Sequence, residues 1–124
     1  MIARFQVDSA EPRQVVGLDA DWVGLMTFAK TFTSGIIGQS TTLFISAGTE
    51  EGSRSYVATE RISGRTYDGH EGSVTVQHGG LESDPASWFG HIVPGTGTGD
   101  FAGWSGSARI VHDDQGAFFE ITLT

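Results

Sequence analysis

Ile92-Val93-Pro94-Gly95-Thr96-Gly97-Thr98-Gly99-Asp100-Phe101-Ala102-Gly103 puts four glycines into nine residues between two apolar runs. Glycine reaches positive φ without steric cost, so this density marks tight backbone geometry or the close approach of a neighbouring strand. Read literally, Gly97-Thr98-Gly99-Asp100-Phe101-Ala102 also satisfies a dinucleotide-binding fingerprint, which needs a strand before it and an amphipathic helix after it. The next residues, Ser105-Gly106-Ser107-Ala108-Arg109-Ile110-Val111-His112, are small and β-branched, with no apolar stripe of period 3.6. The segment marks a β fold and not a nucleotide site.

Outward from it, period-2 alternation recurs in run after run bounded by turn residues, the pattern of half-buried strands. Eight strands are predicted: Ile2 to Asp8, Trp22 to Phe32, Ile36 to Ala47, Arg54 to Ser63, Gly72 to Gly80, Ser87 to Val93, Ser105 to Asp113, and Ala117 to Leu123. Ser34-Gly35, Glu51-Gly52, Asp68-Gly69, Ser83-Asp84-Pro85 and Gln115-Gly116 supply turn chemistry between them. Most links are short, which favours antiparallel neighbours. The longer segment Ser9 to Asp21, with Pro12 and several charges, reads as a solvated connector or as a lid or plug. No helical segment is available to cover a sheet face, so the strands must bury their apolar faces against each other. The meander-like order favours a barrel over a sandwich. Residues 1–124 are therefore expected to form a single all-β domain, an antiparallel closed barrel of about eight strands, whose interior is either filled by side chains or holds one small ligand.

Composition narrows the partners. The formal charge of −8, from 7 basic and 15 acidic residues, repels phosphate backbones, and the basic residues are scattered along the chain. Neither nucleic acid nor an anionic membrane is expected. The chain has no cysteine, which excludes disulfide and thiolate chemistry. Met1 to Asp8 alternates apolar and polar residues, and no stretch approaches the length of a membrane span, so a cytoplasmic protein is expected.

Three segments carry a resemblance. They are Lys30-Thr31-Phe32-Thr33-Ser34-Gly35; Glu60-Arg61-Ile62-Ser63-Gly64 followed by Gly72-Ser73-Val74-Thr75-Val76-Gln77-His78-Gly79-Gly80; and Val93 to Gly103. Together they resemble a bacterial family of domains of unknown function, from about Met26 to the C-terminus. The resemblance implies a small antiparallel, calycin-like barrel similar to that of allene oxide cyclase, and it supplies a fold and an analogy only. Trp104 stands where an aliphatic residue belongs in that pattern, and Arg65 to Glu71 lengthens the central hairpin.

Residues of one parity share a strand face, so polar groups among apolar neighbours of the same parity are candidates for the lumen. Lys30 goes with Met26, Phe28 and Phe32; Glu60 with Tyr56, Ala58 and Ile62; His78 with Val74 and Val76; His91 with Phe89 and Val93. If those faces point inward, a cation, a carboxylate and two imidazoles line one apolar interior. Desolvation raises a carboxylate pKa and lowers those of His and Lys, bringing proton transfer toward neutral pH. Glu60 is then the expected acid or base, His78 or His91 a proton shuttle, and Lys30 the partner of an anionic head group or enolate-like charge. A structural Lys30–Glu60 pair, heads in water at a barrel mouth, and purely structural histidines are the alternative readings. With the opposite parity inside, Gln77, Thr59 and Arg61 would line the cavity instead.

Trp22, Trp88, Trp104, Tyr56 and eight phenylalanines offer aromatic area for a core or for a planar or polyene ligand. Phe28, Phe32, Tyr56, Gln77, Trp88, Phe89 and Trp104 are the candidate substrate-binding residues, with Trp88 and Phe89 near a rim because they follow Pro85 at a strand start. His70, His78, His91 and His112 do not form a His-x-His pair with a following Glu, so neither metal nor cofactor is expected. No Gly-x-Ser-x-Gly elbow is present. The predicted function is binding of a hydrophobic or amphipathic small molecule in the lumen with cofactor-free isomerisation or cyclisation. The alternatives are a non-catalytic carrier and a packed structural barrel. A homodimer or trimer would account for apolar residues on outward faces.

Overall fold

Each alternating run forms a strand. The computed structural model describes residues 1–124 and contains β1 (Ile2–Pro12), β2 (Gly24–Ser34), β3 (Ile36–Gly48), β4 (Arg54–Thr66), β5 (Glu71–Leu81), β6 (Phe89–Ile92), β7 (Thr98–Gly99), β8 (Gly106–Asp113) and β9 (Gly116–Leu123). All pairings are antiparallel. Eight strands run β1-β2-β3-β4-β5-β6-β8-β9 and back to β1, closing a barrel, while β7 adds two residues beside β5. Closure joins β1 to β9 through Ile2–Arg4, and β1 beyond Arg4 has β2 alone beside it.

Strand ends depart from the sequence reading for local reasons. β1 runs on through Ser9–Pro12, where the sequence predicts an irregular segment. Pro12 is tolerated because β9 covers only Ile2–Arg4, so the missing N–H costs no ladder bond. A bulge between Val7 and Ser9 leaves Asp8 unpaired, and its carboxylate accepts a hydrogen bond from Thr31 Oγ1 at 2.6 Å. The remaining connector, residues 13–23, borders a surface cavity with Leu25 and Ile45 on the outer wall and contributes nothing to the lumen, so it is neither lid nor plug. β6 starts at Phe89 instead of Ser87 because Asp84 caps a 3-10 turn, Pro85–Ser87, accepting from Ala86 N at 3.2 Å.

The glycine-rich segment closes a seam. β6 pairs only with Val76–Gly79, leaving the Glu71–Thr75 edge of β5 without a full strand. Side chains of the segment supply the missing acceptors: Thr75 N donates to Thr96 Oγ1, Ser73 N to Thr98 Oγ1, and Glu71 N to Asp100 Oδ2, all within 3.1 Å. These edge amides are thereby satisfied with only two residues of strand pairing. The glycines admit the tight path: a Cβ on Gly97 would lie 1.9 Å from Phe101 O, and one on Gly72 would lie 2.1 Å from Thr98 O. This path drives Phe101 into the barrel, where it is fully buried and stacked on Trp104 at 4.0 Å.

Inward residues are even-numbered in β2 to β6 and β8, and odd-numbered in β9 and in β1 before its bulge. The half of the barrel nearest Phe101 is solid, packed with Ala3, Phe32, Ile36, Ile62, Val74, Ile92 and Ile121. The other half is not.

Candidate functional site

In the unfilled half, a cavity of about 230 Å³ opens between Phe5, Val7, Phe28, Phe44, Ile110 and Ala117, with Lys30, Thr42, Tyr56, His78 and His112 completing the wall. Aromatic rings girdle it in sequence. Phe28 packs on Phe44 at 4.9 Å, Phe44 on Tyr56 at 4.8 Å, Tyr56 on His78 at 5.5 Å, His78 on Phe119 at 5.3 Å, and Phe119 on Phe5 at 5.5 Å.

The floor is polar because four neighbouring strands each deliver one group to the same level. Lys30 lies opposite Ser40 on β3, Thr42 opposite Glu60 on β4, and Ala58 opposite His78 on β5. Glu60, fully buried, collects the set: its Oε1 accepts from Lys30 Nζ at 2.8 Å and pairs with His78 Nε2 at 2.9 Å, while its Oε2 accepts from Ser40 Oγ at 2.6 Å. Burial pushes the Glu60 carboxyl upward, but the hydrogen bonds from His78, Lys30 and Ser40 and the Lys30 charge outweigh it and hold the group at about 2. Since a carboxylate only accepts, His78 carries its proton on Nε2. Its Nδ1 then faces Tyr56 Oη at 2.9 Å. Burial, and after it the Glu60 charge, push the Tyr56 hydroxyl up to about 12. Lys30 Nζ also sits over the Phe5 ring at 4.3 Å from its centroid, a cation–π contact.

Tyr56, His78 and Glu60 thus form a hydrogen-bonded line from the cavity wall to a buried charge. The outer two positions can exchange a proton with a bound molecule, and Glu60 orients the imidazole. No three His, Asp or Glu side chains come close enough to hold a metal ion.

Residues 1–124, the whole chain, match the family described as "Protein of unknown function (DUF3224)". The chain belongs to the DUF3224 family. A solved structure of a protein with unknown function from this family, from Shewanella oneidensis MR-1, is similar with a TM-score of 0.81 and 26% sequence identity, over 100% of this chain and 95% of that chain. The comparison with curated proteins gave no match. No helix of the DUF3224 chain is long and apolar enough to cross a membrane.

The structure brings together Lys30, Glu60 and His78, as parity requires with even residues inside, and sets Phe28 and Tyr56 on the cavity wall. It does not bring in His91. β6 pairs His78 with Gly90 and Gln77 with His91, so the inward places on β6 fall to Gly90 and Ile92. His91, Phe89 and Gln77 all lie on the outer wall beside Leu43, Ile45 and Val57. Thr59 and Arg61 are outward too; Thr59 Oγ1 accepts from Gln77 Nε2. Phe32 and Trp104 belong to the solid half, packed on Phe5 and Phe101 respectively, and do not reach the cavity. Trp88 stands at the rim, edge-on to His112 at 5.4 Å and donating from Nε1 to Leu81 O. Glu60 differs in role from the sequence expectation. Both of its oxygens are occupied and its carboxyl lies well below the usual range, a setting that suits orienting His78 more than giving or taking a proton.

Sequence reasoning missed Ser40, Thr42, Phe5 and Phe44. Parity with Ile36 and with the cross-strand partner Lys30 marks Ser40 and Thr42 as inward, but β3 alternates polar with polar around Gln39 to Thr42, which masks the faces.

Proposed function

We propose that this DUF3224 protein binds one small, largely apolar molecule in the lumen cavity and isomerises or cyclises it without a cofactor, by moving a proton through Tyr56 and His78. The observation that carries this reading is the line from Tyr56 Oη through His78 to Glu60, at 2.9 Å for each link, at the wall of an otherwise apolar cavity. A proton leaving a substrate C–H passes to Tyr56 Oη as the phenolic proton passes to His78 Nδ1, and the imidazolium so formed is stabilised by the Glu60 carboxylate. The electron pair released stays on the substrate within the field of Lys30. Return of the proton to a different carbon completes the reaction with nothing consumed. Aromatic walls supply the remainder by holding a flexible molecule in one reactive conformation.

A carrier is the second reading. The full satisfaction of Glu60 by Lys30, His78 and Ser40 favours it, because that carboxylate is complete without a ligand. Deuterium exchange separates the two. Protein purified from its own host is stripped of any small molecule it holds, and the extracted compound is returned to it in D2O. Enzymatic proton transfer incorporates deuterium at carbon with wild-type protein and not with Tyr56→Phe. A retained compound that never exchanges identifies a carrier.

The homo-oligomer belongs to the same proposal. Leu43, Ile45, Val57 and Phe89 are 40–51% exposed on one stretch of the outer wall, an apolar surface that a second copy would cover.

A further inference from the structure

Thr42 is fully buried, yet its Oγ1 is the single buried side-chain polar atom with no hydrogen-bond partner. It stands on the cavity wall, between Phe28 on β2 and Glu60 on β4. A buried hydroxyl without a partner is destabilising, and valine would fill the same volume without that penalty. The place therefore calls for a polar atom that arrives with a ligand.

The surrounding chemistry says which polar atom. The floor is rich in donors: the Lys30 ammonium has three N–H groups, and one is used on Glu60. Its charge is already balanced by Glu60, 2.8 Å away. A carboxylate or phosphate would shed its water among phenylalanines with no unpaired cation to receive it, which is unfavourable. An uncharged acceptor oxygen meets donors at little desolvation cost. The volume, about 230 Å³, takes a molecule of about eight heavy atoms, counting a water's share of about 30 Å³ for each.

We propose that the ligand ends in a neutral carbonyl oxygen and that Thr42 Oγ1 donates the hydrogen bond that fixes it, beside Lys30. This rests on the reading of the lumen as a ligand site. It also names the reaction class: abstraction of a proton α to that carbonyl. The C–H bond breaks, its electron pair moves into an enolate whose oxygen lies between Thr42 and Lys30, and the proton passes through Tyr56 to His78. Where the ligand carries a β,γ double bond, the electron pair spreads over the dienolate, and return of the proton to the γ-carbon gives the conjugated isomer.

Three probes of similar shape test it: acetophenone, toluene and benzoate, titrated into isotope-labelled wild-type protein and Thr42→Val while amide and side-chain resonances of the lumen are followed. Wild type is expected to bind acetophenone about tenfold more tightly than toluene, and benzoate least. Thr42→Val, which keeps the shape, is expected to abolish the preference for acetophenone over toluene and leave toluene affinity unchanged. An undiminished preference in Thr42→Val, or benzoate as the tightest probe, overturns the carbonyl assignment while leaving the lumen as a ligand site. Failure of all three probes to perturb lumen resonances overturns that site itself, and the carbonyl assignment with it.

Discussion

Lys30 and Glu60 meet at 2.8 Å inside the barrel, their side chains 4% and 0% exposed. Two charges so placed cost desolvation energy that their attraction offsets only while both are present. Removing one leaves the other charged and unpaired. Glu60→Met or Lys30→Met alone is therefore expected to cost about 3–5 kcal/mol of stability, and the double variant Lys30→Met/Glu60→Met less than the sum of its parts. Denaturant unfolding of the four proteins measures this. Additive losses would mean that the pair is not coupled.

Acid should undo the same carboxylate. The Glu60 carboxyl has an ordinary value of 4.5 and sits at about 2 in the folded chain. A depressed value means that the unfolded chain binds the proton more readily, so this contribution to stability is fully present above 4.5 and is lost as pH falls through about 2. The unfolding midpoint of wild type is expected to fall more steeply over that window than that of Glu60→Gln. Asp68 and Asp113, also held below their usual range, are exposed and common to both proteins, so the difference isolates Glu60.

Tyr56 behaves oppositely at the alkaline end. Its value rises from 10.0 to about 12, so its contribution is complete below 10.0 and is lost as pH rises through about 12. Tyr67→Phe removes the other of the two tyrosines, and tyrosinate absorbance then reports Tyr56 alone. Its midpoint is expected near 12, and lower, but still above 10.0, when Glu60→Gln is added, because burial remains after the charge is gone. A midpoint near 10.0 in the Tyr67→Phe protein would place the hydroxyl in water and disconnect it from His78.

Fold and site are legible in the sequence wherever alternation is clean. β4 reads Tyr56, Ala58, Glu60, Ile62 on one face, and β5 reads Val74, Val76, His78, so the carboxylate and imidazole of the buried cluster stand out from parity alone. Parity says which residues share a face and not which face is inside. For β6 that distinction decides His91: four residues long, the strand takes its phase from Gly90 and Ile92, and a glycine offers no apolar signal. The depressed Glu60 value is not legible either, because it depends on three donors from three other strands converging on one carboxylate. The seam formed by Thr96, Thr98 and Asp100 likewise depends on β6 being too short to cover β5, a fact of pairing and not of local sequence.

The same seam should open before the rest of the barrel when it is strained. Phe101 reaches the core only because Gly97 lets the chain turn tightly beneath it, and the residue is fully buried beside Trp104. Phe101→Ala removes a buried ring and should cost about 3–5 kcal/mol. Gly97→Ala keeps the ring but puts a Cβ where it would lie 1.9 Å from Phe101 O, so the segment must lift away from β5. The two losses should therefore be comparable and far from additive when combined, since both release the same plug. In Gly97→Ala, the amides of Ser73 and Thr75, which donate to Thr98 and Thr96, should lose hydrogen-exchange protection first. The amides of β1 and β2, on the far side of the barrel, should keep theirs. Equal loss of protection all round the barrel would show that the segment is no separate seam but part of one cooperative unit with the remaining strands.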